Sequence, residues 1–177
     1  KGRPAYSRQP DSVPPVPRFA CGAGGAGPRH FAFSPDGRFV YVLNELNLTV
    51  TVFQYDSAVG RLTEFQTLRT QPPERPVTDK DAAAQIVVHP SGKFVYASNR
   101  GPDDIAVFSV DAQTKKLQLI QNMSTQGKTP RNFNLSPDGR WLLAANQNSD
   151  SVVVFSTAPN TGLLAPTGAS VTVGNPV

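Results

Sequence analysis

Arg29 and His30 stand together in this chain, and Glu45, Arg100 and Arg131 follow at places that a repeated unit makes equivalent or adjacent. A carboxylate near an imidazole and a guanidinium forms a set that can move a proton and hold an anion. Guanidinium groups bind carboxylate or phosphate bidentately, so three arginines around one carboxylate suit a small anionic substrate. The expected catalytic set is therefore Glu45, His30, Arg29 and Arg100, with Arg131, Asn132, Gln85 and Gln147 as substrate contacts. The blander alternatives are a strand-start histidine that is simply hydrogen-bonded, and arginines that bond carbonyls of a neighbouring unit. No metal site is expected, because neither histidine, His30 or His89, has a partner ligand at useful spacing.

A second motif lies just upstream. In CGAGGAGPRHF, Gly22, Gly24 and Gly27 fit the spacing of a dinucleotide-binding loop. That loop needs a strand before it and a helix after it, whose N-terminus receives the pyrophosphate. Here PDSVPPVPRFA precedes and RHFAF leads into the turn SPDG, with no helical periodicity, so no cofactor is expected. The glycines read as a flexible approach to Arg29 and His30.

The totals exclude several other classes. Of 177 residues 38% are apolar, enough to build a core, and no apolar run reaches the roughly 18 residues of a membrane span. The start, KGRPAYSRQP, lacks the apolar centre of a signal peptide, and a cytoplasmic setting is the expectation. One cysteine, Cys21, rules out an internal disulfide framework and a cysteine-rich zinc site. The net charge of +4, from 17 basic and 13 acidic residues, is spread along the chain, with only Lys115-Lys116 resembling a run. The aromatic residues fall inside apolar strand patterns, which favours packing over base stacking, so neither nucleic acid nor a membrane is expected as partner. The triplets starting at Asn47 and Asn122 match a glycosylation pattern but mean little without secretion.

What must position the polar residues is a unit that occurs three times: PRHFAFSPDGRFVYVLNEL from Pro28, AAQIVVHPSGKFVYASNRG from Ala83 and PRNFNLSPDGRWLLAANQN from Pro130. The shared turns begin at Ser34, His89 and Ser136, and the longer first interval is accounted for by the polar segment Gln71 to Asp81. Each unit reads as four short strands, in the first copy about Arg29 to Phe33, Arg38 to Leu43, Leu48 to Tyr55 and Leu62 to Thr70. Pro second and Gly fourth in SPDG and HPSG suit a tight turn between the first two strands. The second strands, FVYVL, FVYA and WLLAA, are apolar on both faces, whereas fourth strands such as TEFQTLRT are mixed. An inner strand covered on both sides and a partly wet outer strand are what a blade in a radial array needs. The fold class is therefore all-β, a β-propeller fragment of about three four-stranded antiparallel blades. A β-sandwich is the runner-up, though it gives no reason for the repeat.

Closed propellers need about four to eight blades, so the chain is expected to be part of a longer propeller. Its expected parts are a partial preceding blade and linker over 1–27, a blade with a long exit loop over 28–82, a blade over 83–129, and over 130–177 a blade followed by the start of another inner strand.

Blade topology puts the start of strand one and the end of strand two on one face. Arg29-His30, Ala84-Gln85 and Arg131-Asn132 are the aligned starts, and Asn44-Glu45, Asn99-Arg100 and Asn146-Gln147 the aligned ends. The repeated Asn is expected to cap a turn, while its neighbour varies on a common rim. His89 falls among the turns of the opposite face.

The segments GAGPRHFAFSPDGRFVYVLNEL, FVYASNRG and GKTPRNFNLSPDGRWLLAANQ resemble the lactonase family of seven-bladed propellers, which includes bacterial 6-phosphogluconolactonases and fungal carboxy-muconate lactonising enzymes. The resemblance runs from about Gly22 to Val177 and implies the C-terminal half of a chain about twice as long. It places the family's arginine and histidine on Arg29 and His30, its glutamate on Glu45 and a further arginine on Arg100. It also implies a catalytic histidine from an earlier blade, and no dependence on a metal. Gln85 stands where relatives often carry Glu, and Val87 replaces a histidine of the same pattern. The implied activity is hydrolysis of a sugar-acid lactone, 6-phosphogluconolactone first. Lactone formation or opening in aromatic-acid breakdown is the enzymatic alternative, and a non-catalytic scaffold the other.

Overall fold

The computed structural model describes residues 25–177; Cys21, Gly22, Gly24 and the PPVPRF segment lie outside the described residues. Among the described residues twelve strands form three antiparallel four-stranded sheets, each a meander in chain order. The first blade contains β1 (Pro28–Phe33), β2 (Phe39–Asn44), β3 (Thr49–Asp56) and β4 (Arg61–Arg69). The second contains β5 (Ala82–Val88), β6 (Phe94–Arg100), β7 (Asp104–Val110) and β8 (Leu117–Ser124). The third contains β9 (Pro130–Leu135), β10 (Trp141–Asn146), β11 (Ser151–Thr157) and β12 (Leu164–Thr172), with one 3-10 turn at Gln147–Ser149. Val171 and Thr172, in the tail where another inner strand is expected, belong to β12 and pair with Val152 and Ser151.

The turns form as their residues dictate. In SPDG the Gly37 N–H donates to the Ser34 carbonyl at 2.8 Å, and Gly37 takes a φ of 68°, where a side chain would be strained. The Asp36 carboxylate accepts from the Ser34 hydroxyl at 2.6 Å and from the Arg38 N–H at 3.1 Å, which holds its pKa down at about 2. In the second blade His89 replaces that serine: its Nδ1 accepts the Ser91 N–H at 3.1 Å, and its Nε2 donates to the Gly139 carbonyl of the third blade at 3.2 Å. His89 is therefore an inter-blade tie on the face opposite the polar rim.

Apolar layers bind the blades face to face. Phe39, Tyr41, Leu43, Val50 and Val52 of the first blade pack on Ile86, Val95, Ala97 and Phe108 of the second. The second blade's other face, with Phe94, Tyr96, Ile105 and Val107, meets Phe133, Leu142, Val153 and Phe155 of the third. The both-sided apolar strand is realised in β6, which is buried along nearly its whole length. In β10 the alternation shows instead: Leu142 and Ala144 are buried, whereas Trp141 and Leu143 are exposed on a face that no described sheet covers.

The repeated Asn pins a hairpin or a linker. Asn44 Nδ2 donates to Thr49 Oγ1 at 2.8 Å and Thr51 Oγ1 at 3.0 Å, Asn99 Nδ2 to Asp104 Oδ1 at 2.7 Å, and Asn146 Nδ2 to the Thr125 carbonyl at 3.1 Å. Only Asn146 precedes a helical turn, and its side chain makes no capping bond there. The segment Gln71 to Asp81 is a structured loop. Arg75 and Asp81 form a bidentate ion pair at 3.0 Å, and Gln71 Nε2 donates to both oxygens of the buried Asp104 at 3.0 and 2.9 Å.

Candidate active site

The innermost strands β1, β5 and β9 pack side by side, and each starts on the polar face with a one-residue irregularity. Pro28 pairs with Asn44 and His30 with Leu43, which leaves Arg29 as an extra residue. Pro130 pairs with Asn146 and Asn132 with Ala145, which does the same for Arg131. In β5 the shift falls between Ala83 and Ile86, at Ala84 and Gln85. A bulge bends the strand and re-aims its side chains, so all three aligned starts are built to turn polar groups out of the regular ladder.

Backbone bonds fix the acid between two blades. The Glu45 N–H donates to the Gly27 carbonyl at 2.7 Å, the Leu46 N–H to the Ala26 carbonyl at 3.0 Å, and the Glu45 carbonyl accepts the Ala83 N–H at 2.9 Å. Gly27 has a φ of 65°, and a Cβ there would press on the Leu46 side chain at 2.8 Å, so a glycine is favoured. Glu45 Oε1 accepts from Arg100 Nη2, and Arg29 Nε lies 3.6 Å from Oε2. Arg100 Nη2 also donates to the Ala83 carbonyl at 3.2 Å, and Arg29 Nη1 to the Ala84 carbonyl. Both arginines are thus tied to the second blade by carbonyl bonds and still face the carboxylate. Burial pulls the Arg29 guanidinium below its ordinary pKa, and the nearby charges of Arg100 and Arg131 add to this while Glu45 opposes it.

His30 projects from β1 beside this ion cluster, with Nδ1 2.6 Å from Gln85 Oε1 and Arg29 Nη1 3.3 Å from Nδ1. Arg29, His30, Phe31, Gln85 and Ile86 line a cavity of about 330 Å3. Another, of about 360 Å3, lies among turn residues of the opposite face, including His89, Asp138 and Arg140, away from the carboxylate. Among the expected site residues, Arg29, His30, Glu45, Arg100 and Gln85 form one connected group. Arg131 bonds Gln147 at 3.4 Å and reaches Arg29 only through its charge, while Asn132 makes no hydrogen bond to the group among the described residues. Val87 packs into the apolar layer between the second and third blades. The blander alternative, an arginine bonding a carbonyl of a neighbouring unit, is realised in Arg29, while Arg100 bonds the Ala83 carbonyl of its own blade; the sequence did not identify which carbonyls these would be. Among the described residues no group of three or more potential metal ligands occurs.

Radially packed four-stranded meanders with a cationic, carboxylate-bearing rim define a β-propeller with a candidate site for an anion. The family model for lactonases, seven-bladed β-propellers, matches residues 9–177, and the chain belongs to that family. A Bacillus subtilis 6-phosphogluconolactonase is 40% identical over 111 residues, covering 63% of this chain and 31% of that protein. The crystal structure of a Lactobacillus plantarum protein superposes with a TM-score of 0.81 at 36% identity, covering 86% of this chain and 44% of that one. The periplasmic gluconolactonase of Pseudomonas aeruginosa does so with a TM-score of 0.79 at 40% identity, covering 86% and 41%. The chain thus spans about a third of the curated relatives' length and less than half of the solved ones'.

Proposed function

We propose that the protein is a lactonase that opens a sugar-acid lactone, with 6-phosphogluconolactone as the favoured substrate. The observation that carries this is Glu45 held between Arg29 and Arg100 beside His30. The relatives named 6-phosphogluconolactonase support the choice of lactone.

In the reaction, water attacks the lactone carbonyl carbon and gives up a proton, and the carbonyl oxygen becomes an oxyanion. Collapse then breaks the bond to the ring oxygen, which takes a proton and leaves as a hydroxyl. Glu45, or the histidine that the family resemblance implies from another blade, takes the water proton. Arg29 and Arg100 keep the carboxylate oriented and offer positive charge where the oxyanion grows. His30 delivers the proton to the ring oxygen, and Arg131 meets the phosphate. An exposed phosphorylated sugar does not cross a bilayer, so this substrate goes with the cytoplasm. The name of the Pseudomonas relative favours a second reading, an unphosphorylated gluconolactone handled outside it.

The test is hydrolysis by the intact protein, with the remaining blades of the propeller present, corrected for the uncatalysed rate, of the phosphorylated and unphosphorylated lactones and of a muconate-type lactone. Preference for the phosphorylated lactone is expected. Arg131→Ala should raise its KM about tenfold with kcat little changed, the worth of one charge-assisted bond. Turnover of none of the three would leave a binding or scaffold role.

A further inference from the structure

The imidazole of His30 is bound in a way that selects its tautomer. Gln85 Oε1 accepts the Ile86 backbone N–H at 3.1 Å, and Ile86 is buried, so the amide oxygen cannot exchange places with its NH2 without leaving that donor unpaired. The same oxygen lies 2.6 Å from His30 Nδ1. An amide oxygen only accepts, so this contact requires the proton on Nδ1, and at 2.6 Å it outweighs the donor-only Arg29 Nη1, which stands 3.3 Å from the same nitrogen. The neutral ring then has its lone pair on Nε2. Gln85 is itself fixed at its backbone, where its N–H donates to Ser98 Oγ at 3.1 Å.

We propose that Gln85 is a positioning residue: from the second blade it locks His30 of the first in the Nδ1–H form and so makes Nε2 the atom that exchanges a proton with the substrate. The assignment of that exchange to lactone opening rests on the lactonase reading above. The lock does not. The charged groups around His30 are Arg29 on its own strand, Glu45 after β2, Arg100 at the end of β6 and Arg131 on β9; β5 contributes only the neutral Gln85. A neutral acceptor fixes the tautomer without favouring the imidazolium as a carboxylate would.

The chain supplies its own control. His89 Nδ1 accepts the Ser91 N–H, so His89 is the opposite tautomer, protonated at Nε2. Long-range proton–nitrogen correlation spectra of the full chain at a pH where both rings are neutral should show one Nδ1–H ring, lost in His30→Gln, and one Nε2–H ring, lost in His89→Gln. Gln85→Leu should release His30 to a mixture dominated by Nε2–H and lower kcat about 10- to 100-fold, within the usual worth of a positioned acid–base group. Gln85→Glu should keep Nδ1–H but move the alkaline limb of the kcat/KM profile, where the proton-donating His30 is lost, to higher pH, since a carboxylate stabilises the charged ring. An Nε2–H form of His30 in the unaltered protein, or a Gln85→Leu protein with unchanged tautomer and pH profile, would overturn the proposal. An Nδ1–H ring in a protein that opens no lactone would uphold the lock and sink the lactonase reading alone.

Discussion

At the scale of single residues, the site depends on how Glu45 is held. Its backbone donates to Gly27 and accepts from Ala83, and its carboxylate meets Arg100 and Arg29, so both blades determine where the acid sits. Gly27→Ala puts a side chain on a positive φ and against Leu46, and should cost about 1–2 kcal/mol of stability while lowering turnover by displacing Glu45. A melt and a lactone assay that both match the unaltered protein would contradict this. The residue types and their spacing in the repeat were enough to bring out Arg29, His30, Glu45 and Arg100. The contact between Gln85 and His30 was not legible, because it depends on bulges in β1 and β5 whose extra residue looks like any other in the sequence. The glycines suggestive of a nucleotide loop lead instead to Gly27, the receiver of the Glu45 N–H.

At the scale of elements, neighbouring blades are clamped by a glutamine that repetition conceals. Gln66 of β4 donates through Nε2 to the Leu117 carbonyl at 2.9 Å and accepts the Leu117 N–H at 2.8 Å. Gln121 of β8 makes the same pair of bonds with Leu164 at 3.1 and 2.8 Å. Each clamp fixes the outer strand of one blade to the start of the next blade's outer strand. Gln66→Ala and Gln121→Ala should each cost about 1–3 kcal/mol in denaturant unfolding, because each strands two backbone groups, and the two losses should add. A loss at one site only would mean that the bonds are not equivalent. The hydrophobic patterning and the SPDG-type turns located all four strands of the first blade to within a residue or so. The clamps escaped notice because a glutamine on a mixed strand reads as solvent-facing, and only the stacking of blades reveals its partner.

For the whole molecule, the repeat decided the fold: three copies of one turn at similar intervals are explained by stacked meanders and by little else. The uneven interval also located the Gln71–Asp81 loop correctly, though not its internal order, which comes from the Arg75–Asp81 pair. Stacking is what turns separate strand starts into a site. Arg29 and His30 come from the first blade, Gln85 and Arg100 from the second and Arg131 from the third, so the contacts of His30 with Gln85 and of the first blade's groups with Arg100 exist only because the sheets stack. The proposed lactone opening needs the charge of Glu45 on this shared rim. It is tested by Glu45→Gln in the intact protein, a change that keeps size and one acceptor oxygen for Arg100 while removing the charge. Steady-state hydrolysis of 6-phosphogluconolactone should fall by about 100-fold or more with the thermal unfolding midpoint little changed. Turnover equal to that of the unaltered protein would contradict the account.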